Sequence, residues 1–242
     1  MIVDSKYTYG RILLKLSGEA LRGNSDGPYD RDLVKGMVGH LGNLVDSGIE
    51  MGIVIGGGNI WRGAKASDSS LQRSSSDYMG MLATAMNAIY LRDAFNSAGY
   101  SAEVQSSIPI LPATAGFDPI SAVKSLEEGR IVIFAGGTGN PYFTTDTAAV
   151  LRALETGAEA VLKATKVDGI YSEDPKKNPN ARRYETLTYE EALAQRLEIM
   201  DSTAFSLCRD NGLPIIVFDF SNPQNIEKVL EGDNSVGTVV SD

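Results

Sequence analysis

Short apolar, β-branched runs that alternate with longer stretches of helical periodicity constrain this chain more than any other feature. The runs are Arg11–Leu16, Met51–Ile55, Ala102–Gln105, Ile131–Phe134, Ala160–Lys163 and Ile215–Asp219. The helical stretches are Arg31–Asp46, Asp77–Ser97, Thr145–Thr156, Tyr189–Ala194, Thr203–Asn211 and Pro223–Glu231. Strands buried on both faces read as continuous apolar runs, and helices between them supply the parallel crossovers. The expected fold is therefore α/β, with a mainly parallel central sheet sandwiched by helices. At 242 residues one such domain accounts for the whole chain. A division near Lys163 is only weakly marked, because no linker composition accompanies it. Two polar stretches interrupt the alternation, Gly23–Tyr29 and Lys65–Ser76; the second reads as a surface loop that can also close over a ligand. Asp174–Arg183, with Pro175 and Pro179, reads as an excursion between two halves of one domain.

Several runs lead straight into glycine: Leu16-Ser17-Gly18, Ile55-Gly56-Gly57-Gly58 and Ala135-Gly136-Gly137-Thr138-Gly139. In open α/β sheets ligands bind beyond the carboxyl ends of the strands, so these loops are expected to share a crevice. Glycine there lets backbone N–H groups approach phosphate oxygens, although a tight turn after a buried strand explains a single such loop equally well. The chain has no G-x-G-x-x-G and no Gly-Lys dipeptide from which a P-loop is built, which disfavours both common nucleotide fingerprints. Lys15 lies inside an apolar strand and must find an anion or reach water. Lys163 and Lys166 repeat the pattern, and one of them is expected to be solvated. Converging lysines suit phosphoryl transfer, in which positioning and positive charge stabilise the transferring group. In the stretch Gly136–Asp146, Thr144 or Thr145 can cap the following helix. Asp146 either complements the helix dipole or holds nearby ammonium groups in position. Arg62 suits bidentate phosphate contact, and Asp77 suits either ribose hydroxyls or a helix cap.

Composition removes several mechanisms. The formal net charge of −9 argues against nucleic-acid or anionic-membrane partners. His40 is the only histidine and Cys208 the only cysteine, so an internal disulfide or a His/Cys zinc cluster cannot form within one chain. His40 reads as an exposed helix residue and Cys208 as a packed thiol. Met1–Tyr9 carries no signal-peptide pattern and no run approaches membrane-spanning length, which points to the cytoplasm.

The ordered set Lys15-Leu16-Ser17-Gly18-Glu19-Ala20-Leu21, Gly56-Gly57-Gly58-Asn59, Asp77–Thr84, Thr138-Gly139-Asn140-Pro141, Thr144-Thr145-Asp146 and Lys163–Gly169 resembles the amino acid kinase family, and within it the bacterial-type UMP kinases. The resemblance runs from Arg11 to Val239. It implies that ATP and UMP, with Mg²⁺ held through the ATP phosphates, give ADP and UDP in pyrimidine nucleotide synthesis. It also implies that Lys15, Leu16, Ser17, Gly18, Gly58 and Arg62 face the ATP phosphates, and that Thr165, Tyr171 and Asp174 lie around the rest of ATP. Gly57, Asp77 and the stretch Thr138, Gly139, Asn140, Pro141, Tyr142, Phe143, Thr144 and Thr145 would hold UMP. Lys15 and Lys163, organised by Asp146, would act on the moving phosphoryl group, with Asp201 added to the catalytic set. By the same resemblance, UMP binding occupies roughly residues 1–160 and ATP binding roughly 161–242, the assembly is a homohexamer, and GTP activates while UTP inhibits. The rivals are another phosphotransferase of this family, and a nucleotide-binding regulatory protein without turnover.

Overall fold

The structure, a computed structural model, describes residues 6–62, 71–175 and 177–242. Six of its strands continue directly from the apolar runs: β1 (Arg11–Leu16), β2 (Glu50–Ile55), β3 (Ala102–Ser106), β5 (Ile131–Ala135), β6 (Ala160–Thr165) and β10 (Ile215–Asp219). With β4 (Ala115–Gly116), β9 (Thr186–Leu187) and β11 (Gly237–Val240) they form a nine-stranded sheet in the order β4-β3-β5-β2-β1-β6-β10-β11-β9. Every neighbouring pair is parallel except β10–β11. A separate hairpin of β7 (Ile170–Tyr171) and β8 (Arg183–Tyr184) brackets the proline-bearing excursion.

Helices cover both faces. On one side α2 (Arg31–Asp46), α3 (Arg73–Ser97) and α8 (Asn225–Leu230) bury Met37, Leu41, Leu91, Phe95 and Ile226 against Ile12, Leu14 and Leu16 of β1. On the other, α4 (Pro119–Glu127), α5 (Thr145–Thr156), α6 (Tyr189–Ala194) and α7 (Ser202–Asp210) pack around Leu13, Val161 and Val217. Successive strand residues point to opposite faces. Lys15 therefore shares the face of Leu13, and Lys163 that of Val161, so both lysines emerge on the α5 side. The same arithmetic sends their apolar neighbours Leu14, Leu16, Leu162 and Ala164 to the opposite core.

The sequence expectations differ from the structure in a few places. The short helix α1 (Glu19–Arg22) and α4 were not anticipated, although α4 carries a clear start signal: Asp118 accepts from the Ser121 N–H, and Pro119 occupies the first turn. Residues 65–70 of the serine-rich stretch lie outside the described residues. Its end is helical rather than loop, because α3 begins at Arg73, a turn before Asp77. Asp77 consequently is not a cap, that position falling to Gln72. His40 is exposed and Cys208 fully buried, as expected. Burial pushes the Cys208 thiol up to about 12, which leaves it protonated and unreactive.

The turn after α6 is closed by Arg196, a non-glycine residue at φ 54° whose N–H bonds back to Leu193 O, while Leu197 N–H reaches Ala192 O. Glycine normally fills this left-handed position without strain. Arg196→Gly is expected to stabilise the fold by about 0.5–1 kcal/mol and so raise Tm by roughly 2 °C in thermal unfolding; a lowered Tm would contradict this reading of the turn.

Candidate active site

The carboxyl ends of β5, β2, β1 and β6 are contiguous in the sheet and all point the same way, which places the three glycine loops side by side. Register then puts Lys15 directly opposite Lys163 on adjacent strands. Two ammonium groups so placed repel unless a counter-charge lies between them. Asp146 supplies it. Its Oδ1 lies 2.7 Å from Lys15 Nζ, and its Oδ2 accepts from Lys163 Nζ at 2.7 Å. Lys163 also donates to Ile199 O at 2.6 Å. Asp146 is only 8% exposed. Burial alone would raise its pKa, but the charges of Lys15 and Lys163 outweigh burial and hold the carboxyl below its ordinary range. Two ammoniums against one carboxylate leave the cluster with a net positive charge, beside the positive end of α5.

Asp146 is held by the start of its own helix. Thr144 is the cap, its hydroxyl accepting from Asp146 N–H at 3.0 Å and Thr147 N–H at 3.4 Å. Asp201 in turn accepts from the Thr144 hydroxyl and, at 2.9 Å, from the Thr147 hydroxyl, while capping α7 through Thr203 N–H and Ala204 N–H. Asp201 thus ties the N-termini of α5 and α7 together.

Two cavities flank this cluster. One, of about 420 Å³, lies between α3 and the loop after β5 and is lined by Gly57, Asp77, Thr138, Phe143, Thr144 and Thr145 among the anticipated residues. Gly80, Met81, Thr84 and Gly137, from the motifs singled out in the sequence but given no role there, complete its wall with Trp61, Arg73 and Ser76. Asp77 is already engaged there: Arg73 Nε lies 3.0 Å from one carboxylate oxygen, which also accepts from Tyr142 N–H at 2.8 Å. That bond holds Tyr142 at φ 73°, and the Arg73 guanidinium sits 5.4 Å from the Tyr142 ring centre. Asn140, Pro141 and Gly139 form the adjoining turn, whose Thr138 hydroxyl accepts from Asn140 N–H. Gly57 admits no side chain, since a Cβ would lie 2.8 Å from that of Ala83 and 2.9 Å from Gly80 O.

The other cavity, of about 490 Å³, gathers Lys163, Thr165, Tyr171 and Asp174 at the ends of β6 and β7. A neighbouring space of about 750 Å³ at the α6–α7 turn is lined by Asp146, Lys163 and Asp201. Consecutive residues therefore divide the site, Thr145 facing the first cavity and Asp146 the lysine side. Arg62 folds back on the glycine loop, donating to Gly58 O at 2.9 Å and pairing with Glu19. Lys166 is exposed and is the solvated member of its pair. Ser17 and Gly18 begin the turn after β1, and Gly18 packs against the glycine loop so closely that a Cβ would lie 2.7 Å from Gly56 O.

The amino acid kinase family model matches residues 10–219. The chain belongs to the amino acid kinase family. Within it the chain groups with the uridylate kinases: it is 50% identical to a protein named uridylate kinase from Legionella pneumophila (strain Lens), over 97% of this chain and 95% of that one. Among solved structures, UMP kinase from Bacillus anthracis superposes with a TM-score of 0.93 at 38% identity, over 97% of this chain and 96% of that one. UMP kinase from Ureaplasma parvum gives 0.91 at 38% identity, over 96% and 98% respectively. A mainly parallel sheet between helices is thus the fold of this family as well as of this chain.

Proposed function

We propose that this chain transfers the γ-phosphoryl group of ATP to UMP, giving ADP and UDP in pyrimidine nucleotide synthesis. The observation that carries the reading is the Lys15–Asp146–Lys163 cluster, set at the ends of adjacent strands with a cavity on either side. UMP occupies the cavity between α3 and the Thr138–Thr145 stretch, with Asp77 toward its ribose. ATP occupies the side of Thr165, Tyr171 and Asp174, its phosphates reaching Lys15, Leu16, Ser17, Gly18, Gly58 and Arg62. An oxygen of the UMP phosphate attacks the γ-phosphorus as the bond to the departing ADP oxygen breaks. That phosphate is already anionic, so no general base is needed. The developing charge is met by the two ammonium groups and the loop N–H groups. Mg²⁺ enters with the ATP phosphates. Both oxygens of Asp146 are engaged by lysines, and among the described residues no group of three or more His, Cys, Asp or Glu is placed to hold a metal, a donor set that fits an ion carried by the nucleotide. Asp201 serves this site by fixing Thr144 and so the start of α5.

A UMP part, roughly residues 1–160, and an ATP part, roughly 161–242, belong to the same proposal, with the ATP phosphates crossing to the strand ends of the first part. A homohexameric, cytoplasmic enzyme activated by GTP and inhibited by UTP belongs to this proposal too. Supporting self-association, α3 presents Tyr78, Leu82 and Met86 at successive i, i+4 positions, with Leu82 50% exposed. In the family resembled, the Gly23–Pro28 loop lies in a region linked to the GTP response, and here Pro28 O accepts from Asn59 Nδ2 beside the glycine loop.

The test is a steady-state panel of four nucleoside monophosphates as acceptors with Mg-ATP, each with and without GTP and UTP. UMP is expected to be preferred over CMP and dUMP; equal use of all four would overturn the acceptor assignment. Asp77→Asn should raise KM for UMP about tenfold while KM for ATP stays within about twofold, since the carboxylate acts on the UMP side alone. The opposite pattern would exchange the two cavities.

A further inference from the structure

Asn87 is a polar residue with 0% exposure in the middle of α3, where its neighbours Ala83, Ala88 and Leu91 are buried apolar side chains. A buried amide is costly unless its hydrogen bonds are made. Here they are made to one place. Asn87 Nδ2 donates to Gly56 O at 2.7 Å and to Asn59 Oδ1 at 2.8 Å, and Asn87 Oδ1 accepts from Asn59 Nδ2 at 3.1 Å. Both ends of the Gly56–Gly57–Gly58–Asn59 loop are thus gripped by one side chain from the helix behind it.

The consequence follows from peptide geometry. In a planar trans peptide the carbonyl of one residue and the N–H of the next point in opposite directions. With Gly56 O drawn toward Asn87, the Gly57 N–H is turned the other way, and Gly57 lines the cavity in which the acceptor phosphate sits in the reading above. A peptide between two glycines has little intrinsic preference for one orientation over its flipped form. We infer that Asn87, steadied by Asn59, is a positioning residue for phosphoryl transfer: it sets the direction of the Gly57 N–H at the point where the phosphoryl group crosses. This rests on the phosphotransferase reading and adds to it residues that touch no nucleotide.

The experiment compares the parent chain with Asn87→Leu, Asn59→Ala and the double variant. It measures kcat well below each Tm, together with equilibrium binding of UMP and ATP. Losing one preorganised donor is worth about 10²-fold in rate. Asn87→Leu is therefore expected to lower kcat about 10²-fold while both nucleotides bind within threefold of the parent. Asn59→Ala should lower kcat five- to tenfold, and the double variant should match Asn87→Leu, because the two amides act as a unit. Should Asn87→Leu fail to fold, Asn59→Ala carries the test, and kcat equal to the parent's overturns the inference. Losses that appear only in Tm, or in binding of both nucleotides with kcat unchanged, overturn it as well. A parent chain that makes no UDP overturns both the activity and this inference; an active parent with an unimpaired Asn87→Leu overturns this inference alone.

Discussion

Lys15→Ala is expected to lower kcat about 10³-fold while leaving the affinity for UMP within about threefold, the upper end of what one preorganised positive group supplies to a transition state. The geometry separates the two quantities. Lys15 Nζ is directed at Asp146 on the α5 face, whereas the wall of the cavity proposed for UMP comes from α3, the loop after β2 and the stretch from β5 into α5. Losing a charge that meets the phosphoryl group in flight lowers kcat and kcat/KM equally, whereas losing one that merely holds the acceptor raises KM. Loss of UMP affinity parallel to loss of rate would move Lys15 from the reacting group to substrate binding. Lys163→Ala should behave similarly but with a larger loss of stability, because Lys163 also supports the α6–α7 turn through Ile199 O.

The second large effect is expected at Asp146. Asp146→Asn keeps the shape but removes the counter-charge between two lysines on adjacent strands. Breaking a buried ion pair costs about 3–5 kcal/mol, and the lysines, still 14% and 17% exposed, can relieve part of this by turning toward the crevice, so the low end is expected. Turned lysines no longer converge, and kcat should fall by at least 10²-fold. The acid limb of the stability curve gives an independent check. The folded carboxyl is held below its ordinary value of 3.8, so its contribution is fully present above that value and is lost as pH falls through the lower folded pKa. Denaturant unfolding of the parent should therefore weaken as pH drops below about 4, and Asp146→Asn should show a shallower loss in that window. A parent and variant with parallel acid limbs would mean that Asp146 is not held by the lysines.

Much of this site was legible in the sequence because it breaks local rules. A lysine inside Ile12-Leu13-Leu14-Lys15-Leu16 contradicts its apolar surroundings, and so does Lys163; glycine runs at strand ends, the Gly56-Gly57-Gly58 triplet above all, contradict the need for side chains that pack. The pairing of the two lysines was legible only through the family resemblance and not from the segments themselves. It depends on the register between β1 and β6, which is fixed by the assembled sheet and not by either segment. The early start of α3 was hidden for a related reason. Arg73-Ser74-Ser75-Ser76 lacks apolar periodicity, and its helix is supported from outside, by Trp61 Nε1 donating to Ser76 O at 3.1 Å. The Arg73–Asp77 pair went unseen with it. Asn87 left a faint trace, an amide on the buried stripe of a helix, but only the fold shows that the stripe at that point faces the Gly56 carbonyl.

In the proposed reaction the lysine cluster carries a phosphoryl group between two nucleotides. The direct measurement is product analysis of the purified chain with Mg-ATP and UMP. One UDP is expected for each ATP consumed, with no ATP consumed when UMP is omitted. Tight binding of both nucleotides with no UDP formed would contradict it.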